Sequence, residues 1–275
     1  MFIDFDVINI FIFLLGLCIG SFLNVIVYRL PNDLSIFKPR SFCPKCKNRI
    51  TWSSNIPILS WVIQKGKCRS CSESISYRYP LIEFLTGILF IIFSKSSPYI
   101  YTFSYSSIFK NIFGWIFLST LLAISFIDWD NLWIPQSLIK FGFIFGSLNL
   151  LSVEFFKIDY LSESILLKGV ISSLVSYILF EILRISSKFY YKKDAIGKGD
   201  SKLISMIAIW LGPMGTLLTF GLSYIFAAIW IVFSFKIIKV KNTKVIPFAP
   251  FLSIGGLIVW FFGNEFIINF IYQMY

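Results

Sequence analysis

Two aspartates and four cysteines are the residues of this chain whose types and spacing can carry chemistry. Asp128 lies in Phe126-Ile127-Asp128-Trp129-Asp130, where one long apolar run ends, and Asp200 closes Gly197-Lys198-Gly199-Asp200, where another begins. Ionisable groups at membrane depth are costly and mark functional sites, and Glu83, Asp130 and Glu181 share that setting. Two carboxylates brought close together do not easily both ionise. One keeps a proton and supports a peptide carbonyl and its leaving amine, while the charged one activates water, as in aspartyl proteases. That chemistry needs no histidine, and the chain has none. Ser-His-Asp, Cys-His, HExxH and His-ligated haem chemistry within one chain are thereby excluded. On the residues alone, Asp200 reads equally as a helix cap and Asp128 as a solvated interfacial charge. Asp130 is the alternative to Asp128, and the Asp-x-Asp pair also permits a weak metal–nucleotide reading. Glu181 has no motif around it and is expected in a buried hydrogen-bonded pair.

Cys43-Pro44-Lys45-Cys46 and Cys68-Arg69-Ser70-Cys71 stand 21 residues apart. Two such turns offer four thiolates to one tetrahedral Zn²⁺. With Trp52, Trp61 and a Pro57 turn between them, they predict a zinc-ribbon-like loop too short to fold on its own core. The other readings are a reduced, unmetallated loop or two disulfides, and a cytoplasmic loop disfavours disulfides. Cys18, in the first apolar run, is expected to be a buried apolar thiol.

The elements that must position these groups are transmembrane. Of the 275 residues 57% are hydrophobic and 14% charged, against the roughly 25% charged of soluble domains. At about 20 apolar residues per span, helices are predicted near 7 to 28, 80 to 97, 111 to 127, 132 to 152, 164 to 185, 201 to 214, 216 to 235 and 248 to 272. The break at Leu211-Gly212-Pro213-Met214-Gly215 decides between seven and eight. The expected fold is an all-α polytopic membrane protein of about eight transmembrane helices, with a cytoplasmic zinc-ribbon-like loop holding the four cysteines after the first. Asp4 and Asp6 ahead of the first segment, and the lack of a basic n-region, argue that it is retained. Twenty of the 25 Lys and Arg fall in three stretches, Arg29 to Arg78, Arg184 to Lys202 and Lys236 to Lys244. The positive-inside bias places all three in the cytoplasm, with Asp4, Asp6, Glu154, Asp159 and Glu163 outside. The net charge of +11 therefore reports topology, and no nucleic-acid partner is expected. Crossing out and back between Asp128 and Asp200 brings both to one face. The expected regions are 1–98 with the loop at 31–79, a core at 110–235, and a basic loop with the last span at 236–275. No internal repeat stands out beside the Ser/Tyr-rich stretch Ser94 to Ser107.

The segment Gly20 to Pro31, the two CxxC pairs, Tyr79-Pro80-Leu81-Ile82-Glu83, Ile127-Asp128, Gly197 to Lys202 and Pro247 to Leu252 follow one another in a telling order. Over residues 15 to 256 the chain resembles the type 4 prepilin leader peptidases. These are GxGD-type aspartyl proteases, many of which also N-methylate the new N-terminus with S-adenosylmethionine. The resemblance implies that Asp128 and Asp200 are catalytic, that Gly197 and Gly199 form a flexible loop, and that Cys43, Cys46, Cys68 and Cys71 hold structural Zn²⁺. It associates Glu83 with methylation. Asn24 and Arg29 are either helix-end anchors or groups that orient the substrate or the zinc loop. The implied partners are prepilins or pseudopilins, the lipid bilayer of the bacterial inner membrane, and pilus or type II secretion machinery, with the active site facing the cytoplasm. The chain departs from the family pattern at Tyr28, Gln136, Asp194 and Ala249. Departures at Tyr28 and Ala249 leave a peptidase without methylation as one alternative, and a non-catalytic membrane scaffold is the other.

Overall fold

The computed structural model describes residues 5–95, 105–155, 165–192, 197–237 and 246–273. Most of the basic stretch 236–244, Asp4, Asp159, Glu163, Asp194 and most of the Ser94–Ser107 stretch lie outside the described residues or outside those whose side chains are described. The chain divides into two compact units, 1–102 and 103–275. Nine α-helices and two 3₁₀ turns account for the regular structure among the described residues, with isolated bridges in place of strands.

In the first unit α1 (Phe5–Arg29) packs along α3 (Arg78–Lys95), and between them lie the cysteine loop and the short α2 (Leu59–Ile63). Small residues allow the approach: a Cβ on Gly16 would stand 2.7 Å from the Gly87 Cα, and one on Gly20 2.7 Å from the Glu83 Cα. This is the close backbone crossing that Gly-xxx-Gly spacing permits in membranes. The opposite face of α1 exposes Val7, Phe11, Leu14, Cys18 and Phe22, which recur at helical spacing. Cys18 is thus on the outward face, not buried in protein as expected; its turn of the helix gives Gly16, Leu17 and Gly20 to the α3 side.

The second unit contains α4 (Tyr105–Asn131), α5 (Gln136–Phe155), α6 (Ile165–Tyr191), α7 (Lys198–Ile237), α8 (Ala249–Phe262) and α9 (Asn264–Gln273). Its core is built from the buried residues Phe117, Leu121, Ile124 and Ile127 of α4, Leu203, Met206 and Ile207 of α7 and Leu252 of α8, with α8 packed on both α4 and α7. Trp210 ties the layers, stacking on Phe117 at 4.8 Å and donating from Nε1 to the Gly142 carbonyl of α5 at 2.9 Å.

α7 has 40 residues, with non-helical backbone at Gly212 (φ 68, ψ −175). A straight helix of that length would measure about 60 Å, twice the roughly 30 Å of hydrocarbon. Contacts with α6 show that it turns back instead. Ser173 meets Ser205 and Gly169 meets Ile209, so the first half runs antiparallel to α6; Ser172 meets Thr216 and Phe180 meets Phe220, so the second half runs parallel to it. The break falls where the Leu211–Gly215 pattern predicts one. The predicted last span is itself bent, by 97° between α8 and α9, where Gly263 takes φ 79. A 14-residue α8 is only about 21 Å long.

Among the described residues five helices, α1, α4, α5, α6 and the doubled-back α7, are long and apolar enough to cross a membrane, or six with the bent α8–α9 pair counted as one. The predicted span at 80–97 falls on α3, which carries three charges, Arg78, Glu83 and Lys95, in 18 residues. α6 exposes Leu167, Leu174, Ile178 and Ile182, and the second half of α7 exposes Leu217, Ile225, Ile229 and Phe233. Water would not tolerate apolar faces of this extent and lipid does. The molecule is a multi-pass, all-α membrane protein.

The α1–α3 crossing is testable. Gly20→Leu forces side-chain atoms into the α3 backbone and is expected to cost about 1–3 kcal/mol. A melting temperature in detergent equal to that of the unchanged protein would show that the crossing is looser than described.

Candidate active site

α4 ends just beyond Asp128. The Leu132 N–H bonds the Asp128 carbonyl at 2.9 Å with Leu132 in the left-handed region (φ 52), a common way to stop a helix. The buried stripe Leu121, Ile124, Ile127 runs on into Asp128, which is 5% exposed. Asp130, about 200° further around the helix, is exposed, as is Trp129. Helical geometry therefore separates the two aspartates that sequence leaves as alternatives. The Asp128 Oδ2 accepts the Ala249 N–H at 3.1 Å, a first-turn donor of α8 that has no partner in its own helix.

Asp200 is the third residue of α7. Its Oδ2 accepts the Gly197 N–H at 3.1 Å, and its own N–H donates to the Gly197 carbonyl at 3.1 Å, a reciprocal cap. The capping role foreseen for Asp200 is therefore present. Asp200 is 9% exposed, and the Asp128 charge is part of its surroundings. The glycines serve that closeness. A Cβ on Gly197 would lie 3.0 Å from the Asp200 Oδ2, and one on Gly199 would lie 3.0 Å from Ile134, on the connection after α4. Because α7 turns back, Tyr224 also feels the Asp200 charge. Glu181 is in an ion pair with Arg184 at 2.7 Å, the paired role expected of it.

In the first unit the four cysteines converge, with all four sulfurs within 4.8 Å of one another and Cys43 Sγ 4.0 Å from Cys71 Sγ. Tetrahedral Zn–S bonds of about 2.3 Å require sulfurs about 3.8 Å apart, so the set fits a metal of that kind. Two matching turns build it. Lys47 N bonds the Cys43 carbonyl and Ser72 N the Cys68 carbonyl, both at 2.9 Å; Lys47 and Ser72 both take φ 59. Bridges Phe42–Arg49 and Lys67–Ser74 close the two turns. This short structural repeat escapes sequence inspection because only the cysteines are shared. Backbone N–H groups of Cys71 and Ser70 lower the Cys68 thiol to about 7. Cys71 accepts the Glu73 N–H, which favours its thiolate, yet desolvation and the three neighbouring sulfurs push it up to about 12. Four thiolates this close repel one another, and a divalent metal would supply the missing positive charge.

Arg29, 4% exposed, donates to the carbonyls of Ser35 and Pro39 at 2.8 and 2.7 Å and of Ile36 and Arg40 at 3.1 and 3.4 Å. Its guanidinium also lies 5.7 Å from the centre of the Phe42 ring, next to Cys43. These bonds hold the 35–40 segment that leads into the cysteine loop. Asn24 Nδ2 donates to the Tyr79 carbonyl at 3.1 Å, tying α1 to the start of α3. Glu83 Oε2 accepts the Ile58 N–H at 2.7 Å, and Ser21 lies beside the same carboxylate. Asn24, Arg29, Glu83, Trp61 and the first cysteine of each pair line one cavity of about 420 Å³. The partners Ala249, Ile58 and Ser21 were not foreseen; of these, only Ala249 had a signal, its place in the proline-flanked Pro247–Pro250 segment.

Residues 14–96 match the bacterial peptidase A24 N-terminal domain, and 115–232 match the type IV leader peptidase family. The chain is 32% identical to a prepilin leader peptidase/N-methyltransferase of Aeromonas salmonicida, covering 92% of this chain and 90% of the relative. It is 31% identical to a type 4 prepilin-like proteins leader peptide-processing enzyme of Escherichia coli, over 88% and 89% of the two chains. A prepilin leader peptidase/N-methyltransferase of Myxococcus xanthus is 33% identical, over 76% of this chain and 58% of its own length. No solved structure matches the chain. The chain belongs to the type IV leader peptidase family.

The Arg29 clamp makes a prediction. Lysine keeps the charge and loses the planar fork, so in Arg29→Lys trypsin is expected to cut after Arg40 at least about tenfold faster, a factor equal to about 1.4 kcal/mol of lost closure. Equal cleavage rates would show that the segment is held by other contacts.

Proposed function

We propose that the chain is a prepilin leader peptidase in which Asp128 and Asp200 form the catalytic pair, and that it also N-methylates the new N-terminus. The observation that carries the reading is two buried carboxylates on different helices, each held by one helix-start N–H, with the Asp128 charge in the surroundings of Asp200. With one proton shared between them, the ionised carboxylate takes a proton from water and the water oxygen adds to the scissile carbonyl carbon. The protonated partner donates to the carbonyl oxygen. As the C–N bond breaks, the amine leaves with a proton relayed through the same pair. Asp128 lies at the end of α4 and Asp200 at the start of α7, beside the basic stretch Arg184 to Lys202. This favours a site at the cytoplasmic membrane face, where a basic leader would meet the apolar helix that follows it.

The four cysteines are assigned to one structural Zn²⁺, which would fix the loop, and S-adenosylmethionine is the methyl donor. The chain's own part in methylation falls to the first unit, with Glu83, Asn24 and Arg29 shaping its cavity. The proposed substrates are prepilins or pseudopilins of a pilus or type II secretion system.

Cleavage of a prepilin in membranes is expected to fall by about 10²–10⁴-fold in Asp128→Asn and in Asp200→Asn, with Asp130→Asn close to unchanged. Full activity in either of the first two would remove that residue from the pair. Metal analysis should find one zinc per chain, lost in Cys68→Ser. The mass of the mature pilin N-terminus should rise by one methyl group only when S-adenosylmethionine is supplied; an unmodified product leaves a peptidase alone.

A further inference from the structure

Ile58 is a β-branched residue held at positive φ. It takes φ 59, ψ −53, and the Leu59 N–H bonds the Pro57 carbonyl at 2.6 Å. This is the three-residue turn of positive φ, rare and strained even for residues without a branched Cβ. Its exposed amide is the one that Glu83 holds, at 2.7 Å. Ile58 caps α2, and Ser60, Trp61 and Gln64, on and just after that helix, line the 420 Å³ cavity. Beyond α2 the wall continues into the second cysteine turn. Trp61 Nε1 donates to the Ile75 carbonyl at 3.0 Å, Ile75 N bonds the Gly66 carbonyl at 2.7 Å, and a Cβ on Gly66 would lie 2.9 Å from the Trp61 ring.

From this arrangement we infer that Glu83 is a positioning residue of the methyl-donor cavity: it holds the strained Pro57–Leu59 turn, and through it the α2 wall, rather than accepting a proton in methyl transfer. Glu83 is 8% exposed, and its carboxylate already accepts the Ile58 N–H at 2.7 Å. Its backbone is fixed by the Gly20 contact. Strain of this kind persists only where surrounding contacts over-determine it, and Glu83 is the side chain that reaches the strained amide. The inference rests on the reading that the chain methylates and that the first unit holds the donor.

The two roles rank substitutions in opposite order. A clamp needs an acceptor at the end of a glutamate-length side chain, so Glu83→Gln should serve and Glu83→Asp should not. A proton acceptor needs a carboxylate, so Asp should outperform Gln. With full-length protein, a prepilin and S-adenosylmethionine, Glu83→Gln is expected to methylate within about threefold of wild type. Glu83→Asp and Glu83→Ala should raise the KM for the donor at least about tenfold with a smaller change in kcat, a tenfold change being about 1.4 kcal/mol. Unchanged peptide cleavage and zinc content would show that the variants fold. Active Asp with inactive Gln overturns the inference, and so does wild-type methylation by all three. Hydrogen exchange over residues 57–64, with no donor present, separates this claim from the functional reading. Faster exchange in the Asp and Ala variants but not in Gln supports the clamp, and equal exchange in all overturns it. Failure of the wild-type chain to methylate would strike the methyltransferase reading and leave the exchange order to decide.

Discussion

Each of the three acidic side chains assigned a role here accepts a main-chain N–H: Asp128 from Ala249, Asp200 from Gly197, Glu83 from Ile58. A buried carboxylate without donors pays a heavy desolvation cost, and an N–H at the start of a helix lacks a helical partner. Joining the two removes both penalties and, in doing so, fixes where each carboxylate sits. The rest of the second unit serves that pairing. The α7 reversal at Gly212, the glycine turn pressed on Ile134, and the packing of α8 along α4 bring two helix starts to one place.

The first unit uses a different solution for the same difficulty. Its cysteine loop has little apolar core, and order comes from a buried guanidinium bonded to four carbonyls, two matching sulfur turns and a clamped strained turn. Arg29 reaches from the end of α1 into the segment leading to Cys43, so the loop begins at a fixed point. Trp61 does the corresponding task at the other end, between α2 and the second sulfur turn.

Much of this was legible in the sequence. Apolar runs with punctuating Gly and Pro located the helices, including the break near Gly212, and CxxC spacing located the sulfur cluster. The choice of Asp128 over Asp130 was not available to physical reading of the chain, because it depends on which side of α4 meets α7 and α8. Cys18 was misjudged for the same reason: an apolar stretch does not say which of its faces meets protein and which meets lipid. The bend at Gly263 was missed because apolar residues resume directly after Gly263-Asn264-Glu265, so that the interruption was read as part of one span. Ile58 had no signal, since nothing about an isoleucine after proline foretells a positive φ.

The Ala249 contact has a consequence for how this site tolerates change. The donor belongs to the main chain, so it depends on the backbone at position 249 and not on the chemistry of the alanine side chain. Ala249 is fully buried, so only a residue as small would keep both the bond and the packing around it. The hydrogen bond that fixes one member of the pair is thus inherited through the shape of a helix start, and comparison of side chains alone would never reveal it.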